Sequence, residues 1–145
     1  MPFLNNSLFI PIFEGYCRQN QIDGKDISAK IGDFDLKLKV CSTPESMMRG
    51  YSGRPAPKES EGMIFVYQQD QPLEFWMKGV DYPLDILFFN SSMALVDFLT
   101  MDPCGSSKDE DLPKYKSSKP AMFAVEVPAG WCESNKISKN CRLKF

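Results

Sequence analysis

Apolar and polar residues alternate most regularly between residues 34 and 40, where Phe34, Leu36, Leu38 and Val40 are separated by Asp35, Lys37 and Lys39. A period of two places each set on its own side of an extended chain, so this stretch predicts a half-buried strand with one wet face. "ISAKI", just before it, predicts the partner strand, because Gly32-Asp33 is a Gly-first pair suited to a two-residue hairpin turn. A different signature follows at "STPESMMRG". Thr43 fits an N-cap, Pro44 the first helical position, Glu45 the first turn and Gly50 the stop, which predicts a short helix. "RPAPKESE" predicts a loop, since Pro55 and Pro57 exclude regular structure.

A second β region begins at "GMIFVY" (62–67) and continues through "LEFWM" (73–77), "LDILFF" (84–89) and "MALVDFL" (93–99). The intervening "QQDQP", "KGVDYP" and "NSS" are turn-like. Short strands at this spacing predict an antiparallel meander that curls into a sandwich or barrel. "LDILFF" barely alternates and is expected to be covered on both faces. Residues 100–120 form a long polar loop, of the kind that is functional or mobile in a compact domain. "AMFAVEV" (121–127) predicts another strand, "PAGWCESNK" a turn with one helical turn, and "CRLKF" a last short strand. The expectation is an α+β, mostly β, single small antiparallel barrel-like or sandwich domain with one or two short helices.

Composition narrows the chemistry. The 145 residues fit one domain that needs neither metal nor obligatory disulfide for its core. Net charge is −2 with Lys and Arg scattered, so no basic footprint for nucleic acid exists. No run approaches the roughly 18 apolar residues that cross a bilayer. "MPFLNNSLFIPIFEG" lacks the basic start of a signal peptide. It is expected to be an apolar arm packed on the domain or on a second subunit, giving a homodimer through residues 1–16. A cytoplasmic location follows as the expectation. The five cysteines form no Cys-x-x-Cys, and reduced thiols are expected, with Cys132 and Cys141 the pair to check for a bridge. The absence of histidine removes Ser-His-Asp and Cys-His nucleophile activation and the commonest transition-metal ligand. No metal or cofactor is implied.

Candidate chemistry concentrates in "FWMKGVDYPLDILFF". In an extended strand Glu74, Trp76 and Lys78 share one face while Leu73, Phe75 and Met77 take the core. One reading is a ligand platform, with Trp76 stacking a ring or apolar group and Lys78 holding an anion; the other packs Trp76 under the 100–120 loop and pairs Lys78 with Asp81 or Asp85. Asp85 opens an apolar strand. It is either a poised acid/base or a structural acceptor for the "KGVDYP" turn or for Lys78. Arg49 and Arg54 flank "GYSG", but the helix C-terminus favours a cation there without any ligand. "KDED" with Asp102 lacks the oxygen spacing of a calcium loop. Cys104 lacks a histidine partner, and Met47, Met48, Met63 and Met77 read as core filler.

These residues also carry a resemblance. "STPESMMRGYSGR", "GMIFVY", "FWMKGV", "PLDILFF", "MDPC", Pro113-Lys114-Tyr115 and "AVEVPAG" resemble, in order and spacing, the DUF192 family of small bacterial, archaeal and phage-encoded proteins. The resemblance covers roughly residues 27–145 and leaves residues 1–26 without counterpart. It implies a compact, β-rich, barrel-like fold with short helices and supplies no reaction. Gly79-Val80 replaces the Asn-Thr of relatives, and Leu112 stands where many have a second Cys, which leaves Cys104 without that partner.

The leading expectation is a small-molecule or peptide-binding module whose cleft is floored by Trp76 and Lys78 and roofed by the 100–120 loop, with Asp85, Tyr115 and Arg54 contributing. A histidine-free hydrolase or carbohydrate-active enzyme using Asp85 and Lys78 is the alternative. A second alternative is a structural domain docking through the N-terminal arm.

Overall fold

The computed structural model describes residues 22–145. The arm segment 1–16 proposed for dimerisation lies outside the described residues. Strands β1 (Asp26–Ile31) and β2 (Phe34–Cys41) form the expected hairpin, with Ile31 opposite Phe34 across a turn in which Gly32 has φ 59°. Helix α1 (Pro44–Arg49) follows, as its capping signature dictates. The Thr43 side-chain oxygen accepts the Ser46 N–H at 3.0 Å, and Ser46 Oγ accepts the Thr43 N–H at 3.2 Å. Asp23 reinforces this start: its Oδ1 accepts the Ser42 N–H at 2.7 Å and the Ser46 hydroxyl at 2.6 Å. Burial alone would raise the Asp23 pKa, but these hydrogen bonds together with the Thr43 N–H outweigh it and hold the carboxyl below its ordinary value.

Strands β3 (Glu61–Gln71), β4 (Glu74–Phe75), β5 (Leu84–Phe89) and β6 (Leu95–Met101) come next, then a 3-10 turn (Asp109–Asp111), β7 (Tyr115–Lys116) and β8 (Ala121–Pro128). Helix α2 (Trp131–Ser134) and β9 (Leu143–Lys144) complete the chain. Seven strands form one sheet in the order β6-β5-β8-β3-β2-β1-β9, curled into a half-barrel, while β4 and β7 pair separately. The fold is mostly β with two short helices, as expected.

The second β region is not a simple meander, because β8 enters between β3 and β5 and pairs with both. Two further details differ from expectation. First, β2 and β3 run parallel. Parallel neighbours cannot be joined by a tight turn and need a crossover of roughly a dozen or more residues; residues 42–60, carrying α1 and the proline loop, are that crossover. Second, "LEFWM" contributes only Glu74–Phe75 to a strand, and it pairs with β7 rather than with the large sheet. Its in–out alternation nevertheless persists, with Leu73, Phe75 and Met77 buried, Glu74 and Lys78 exposed and Trp76 half-buried.

The sheet is covered on both faces. Leu36, Leu38, Ile64, Leu87, Phe123, Val125 and Val127 pack on one side with Trp131 and Cys132 of α2. Met63, Phe65, Ile86, Phe88 and Ala124 pack on the other with Tyr51, Phe75 and Met77. All six residues of β5 are buried, which is what its lack of alternation predicted. Phe34, 38% exposed, is the least buried of the alternating set in β2 and rests edge-on against Trp131 at 5.8 Å between centroids. Cys41, Cys104, Cys132 and Cys141 are free thiols, so no bridge joins Cys132 to Cys141. Among the described residues, no helix is long and apolar enough to cross a membrane.

Candidate functional site

A groove of about 450 Å³ opens on the face that carries Phe65 and Phe75. Small-molecule sites commonly occupy roughly 300–1,000 Å³ and are walled by apolar and aromatic groups with few polar ones. Here α1 supplies Met47 and Met48, β3 supplies Phe65, and the β4 segment supplies Phe75 and Trp76. The methionines read from sequence as filler divide accordingly. Met63 and Met77 are core, whereas Met48 is 68% exposed at the mouth of the groove. Phe65 and Phe75 meet edge to face at 5.0 Å, which fixes the inner wall.

Gly50, the C-cap of α1, keeps the bottom of this groove open. Its backbone lies at φ 47°, ψ −127°, where L side chains are strained. A Cβ there would come to 3.4 Å from Phe65 Cζ and 3.8 Å from Glu126 Oε1. Glycine thus lets α1 end directly above Phe65 and the Glu126 carboxyl.

Glu126 is the principal functional candidate that sequence reasoning missed. It is only 4% exposed, yet it lines the groove. Among the described residues no group donates a hydrogen bond to its carboxylate. Burial pushes its pKa up to about 8. Its neighbours respond in turn: Cys41 is raised to about 12, by burial first and by Glu126 second, and Tyr51 is raised for the same two reasons. The signal was present in "AVEVP". One carboxylate at an even position of an otherwise apolar strand poses the same question as Asp85 does in "LDILFF".

The rim is cationic. Lys114 Nζ sits 4.0 Å from the Trp76 ring centroid and Lys78 Nζ 5.2 Å from it. Cation–π contact of this kind contributes about 0.5–1 kcal/mol at exposed sites. Lys78 is neutralised by Asp109, 2.9 Å from its Nζ. Lys114 has no carboxylate within ion-pair range among the described residues, and Arg49 also lines the groove. The indole is therefore a seat for ammonium groups rather than a bare stacking plate. The 100–120 loop does lie against this segment, since it provides both Asp109 and Lys114.

Of the residues singled out from sequence, Trp76 and Lys78 come together at the groove, while Asp85, Tyr115 and Arg54 lie outside its lining. Asp85 is 2% exposed and faces α2. Its Oδ1 accepts the Thr100 hydroxyl at 2.8 Å and its Oδ2 accepts the Cys132 N–H at 3.0 Å, so it serves the start of α2 instead of the "KGVDYP" turn. Asp85 and Lys78 do not converge on one cavity. The Tyr115 hydroxyl accepts the Asp102 N–H at 3.2 Å and ties the 100–120 loop to β7. Arg54 Nε donates to the Gly50 carbonyl at 3.2 Å, and Arg54 lines a second, smaller cavity of about 320 Å³ with Lys37 and Lys39.

Two solved structures share the fold. A candidate transcription regulator from Sinorhizobium meliloti aligns with a TM-score of 0.74 at 21% identity, over 85% of this chain and 95% of its own. A protein of unknown function from Novosphingobium aromaticivorans aligns with a TM-score of 0.71 at 17% identity, over 83% of this chain and 85% of its own. No curated protein sequence matches. The sequence profile of DUF192, described as an uncharacterized ACR, matches residues 27–145, and the chain belongs to the DUF192 family.

Proposed function

We propose that the domain is a binding module for a small amphipathic anion. The apolar body lies between Met47, Met48, Phe65 and Phe75, and the anionic head meets Lys114 at the rim. The observation that carries this reading is the Lys114 ammonium, held over Trp76 with no carboxylate partner among the described residues, at the mouth of an apolar groove. An anion there gains a charge-assisted contact without having to displace an internal ion pair. An organic cation would face Lys114 and Arg49, since Lys78 is paired with Asp109 and Glu74 with Lys116, and would be repelled.

Octanoate and octylamine share a chain and differ in the sign of the head, so they test the reading. Titration calorimetry at neutral pH is expected to detect octanoate and not octylamine, with Lys114→Ala weakening octanoate and leaving the fold intact by circular dichroism. Octylamine binding as tightly as octanoate, or octanoate failing to bind, overturns the reading.

A further inference from the structure

Resting on that groove, we propose that Glu126 is a buried hydrogen-bond donor that selects ligands whose inner end carries a neutral acceptor, such as a ketone or amide carbonyl. The ligand class thereby narrows from apolar anions to anions bearing a carbonyl group well removed from the charged head.

Glu126 lies on β8 opposite Ile86 of β5 and Met63 of β3, so neither cross-strand neighbour can pair with it. Its side chain is almost fully buried yet lines the groove. The space above it is kept clear by the absence of a Cβ at Gly50. A carboxyl this deep in a folded protein ordinarily keeps a hydrogen-bond partner. The Glu126 oxygens are not sealed from the groove, and no described side chain donates to them, so their partner comes from the groove.

The protonation state selects the partner's chemistry. The desolvated carboxyl favours its neutral form at and below neutral pH. A neutral carboxyl presents an O–H, which a carbonyl oxygen accepts; a carboxylate would instead call for a cation, which the rim repels. The titratable and charged groups around it are Cys41 of β2, Tyr51 beyond α1, Tyr67 of β3 and Tyr82 ahead of β5, with Arg49, Glu74, Lys78 and Lys114 on the groove. Cys41, Tyr51 and Tyr82 are all raised, by burial first and then by Glu126 itself. They keep their protons while Glu126 loses its own.

The test walks a ketone along the octanoate chain, comparing 4-, 5-, 6- and 7-oxo-octanoate with octanoate by calorimetry. At pH 6.5 at least one keto acid is expected to bind about three- to tenfold tighter than octanoate, as a net hydrogen bond of ordinary strength gives. That gain is expected to vanish above pH 9 in the wild type. Glu126→Gln keeps a donor of similar shape, so it should retain the gain at both pH values, whereas Glu126→Leu should lose it at both. If octanoate binds but no keto acid exceeds it, or if the gain grows with pH, the assignment of Glu126 is overturned while the groove reading survives. If neither octanoate nor any keto acid binds, both fall.

Discussion

Asp85 and Glu126 stand on opposite faces of one sheet although the strands that carry them are hydrogen-bonded neighbours. Glu126 pairs in register with Ile86, and Asp85 with Val127, so a single-residue offset separates their sides. One carboxylate is matched by two donors and facing α2. The other is matched by none among the described residues and faces the groove. Opposite experimental behaviour follows from that difference.

Removing Asp85 should cost stability and spare the groove. Asp85→Ala leaves the Cys132 N–H without its acceptor in a buried setting, while the Thr100 hydroxyl, on an exposed residue, can turn to water. A loss of about 2–3 kcal/mol is expected in urea unfolding, with octanoate binding unchanged in the folded variant. A stable variant with lost binding would show that Asp85 acts on the groove after all.

Glu126 should make the fold less stable as pH rises. Its carboxyl titrates at about 8 in the folded chain against an ordinary 4.5. Between those values the folded chain holds a proton that the unfolded chain has released, so the stabilisation is complete below pH 4.5 and is lost as pH climbs toward 8. At about 1.36 kcal/mol per unit the decline is of the order of 5 kcal/mol. Glu126→Gln should flatten that part of the curve. Subtracting urea-derived stabilities of wild type and variant from pH 4 to pH 9 isolates the term, because the other carboxylates cancel.

Gly50→Ala should be harmful twice over. The backbone at φ 47° disfavours any L residue, at about 1–3 kcal/mol, and the added methyl reaches the Phe65 ring. A lower melting temperature together with weaker octanoate binding is expected. Binding at wild-type strength would show that the bottom of the groove is not used.

Asp23→Ala should loosen α1 from its start. The substitution removes the acceptor for the Ser42 N–H and the Ser46 hydroxyl and leaves only the Thr43–Ser46 capping box at the start of α1. About 1–2 kcal/mol of stability is expected to go, and hydrogen exchange should quicken first in residues 44–50. Exchange that changes evenly over the whole sheet would refute a local role.

With the Gly32-Asp33 turn supplying its partner β1, period-two patterning found β2, because neighbours in sequence report a strand's two faces. It missed the parallel β2–β3 pair, although the signal lay in the length of the 42–60 connection. Trp76 and Lys78 were legible because alternation survives even where the strand itself ends at Phe75. Asp85 and Glu126 could not be sorted by the same logic. Both interrupt strands covered on both sides, and which side holds a helix and which a groove depends on contacts distant in sequence. Lys114 was invisible for a similar reason, since only the return of the 100–120 loop through β7 brings it over the indole. Gly50 was read as a helix stop, which it is; that its missing side chain also keeps a space open emerges only when Phe65 arrives beneath it.

The chain's two tryptophans report on different halves of the molecule. Trp131, the first residue of α2, is buried on one side of the sheet, while Trp76 lies on the other with two amines against its ring. Displacing those amines alters the local field at only one indole, leaving the second as a built-in optical standard. Occupancy of the groove can then be followed by emission, with no label attached.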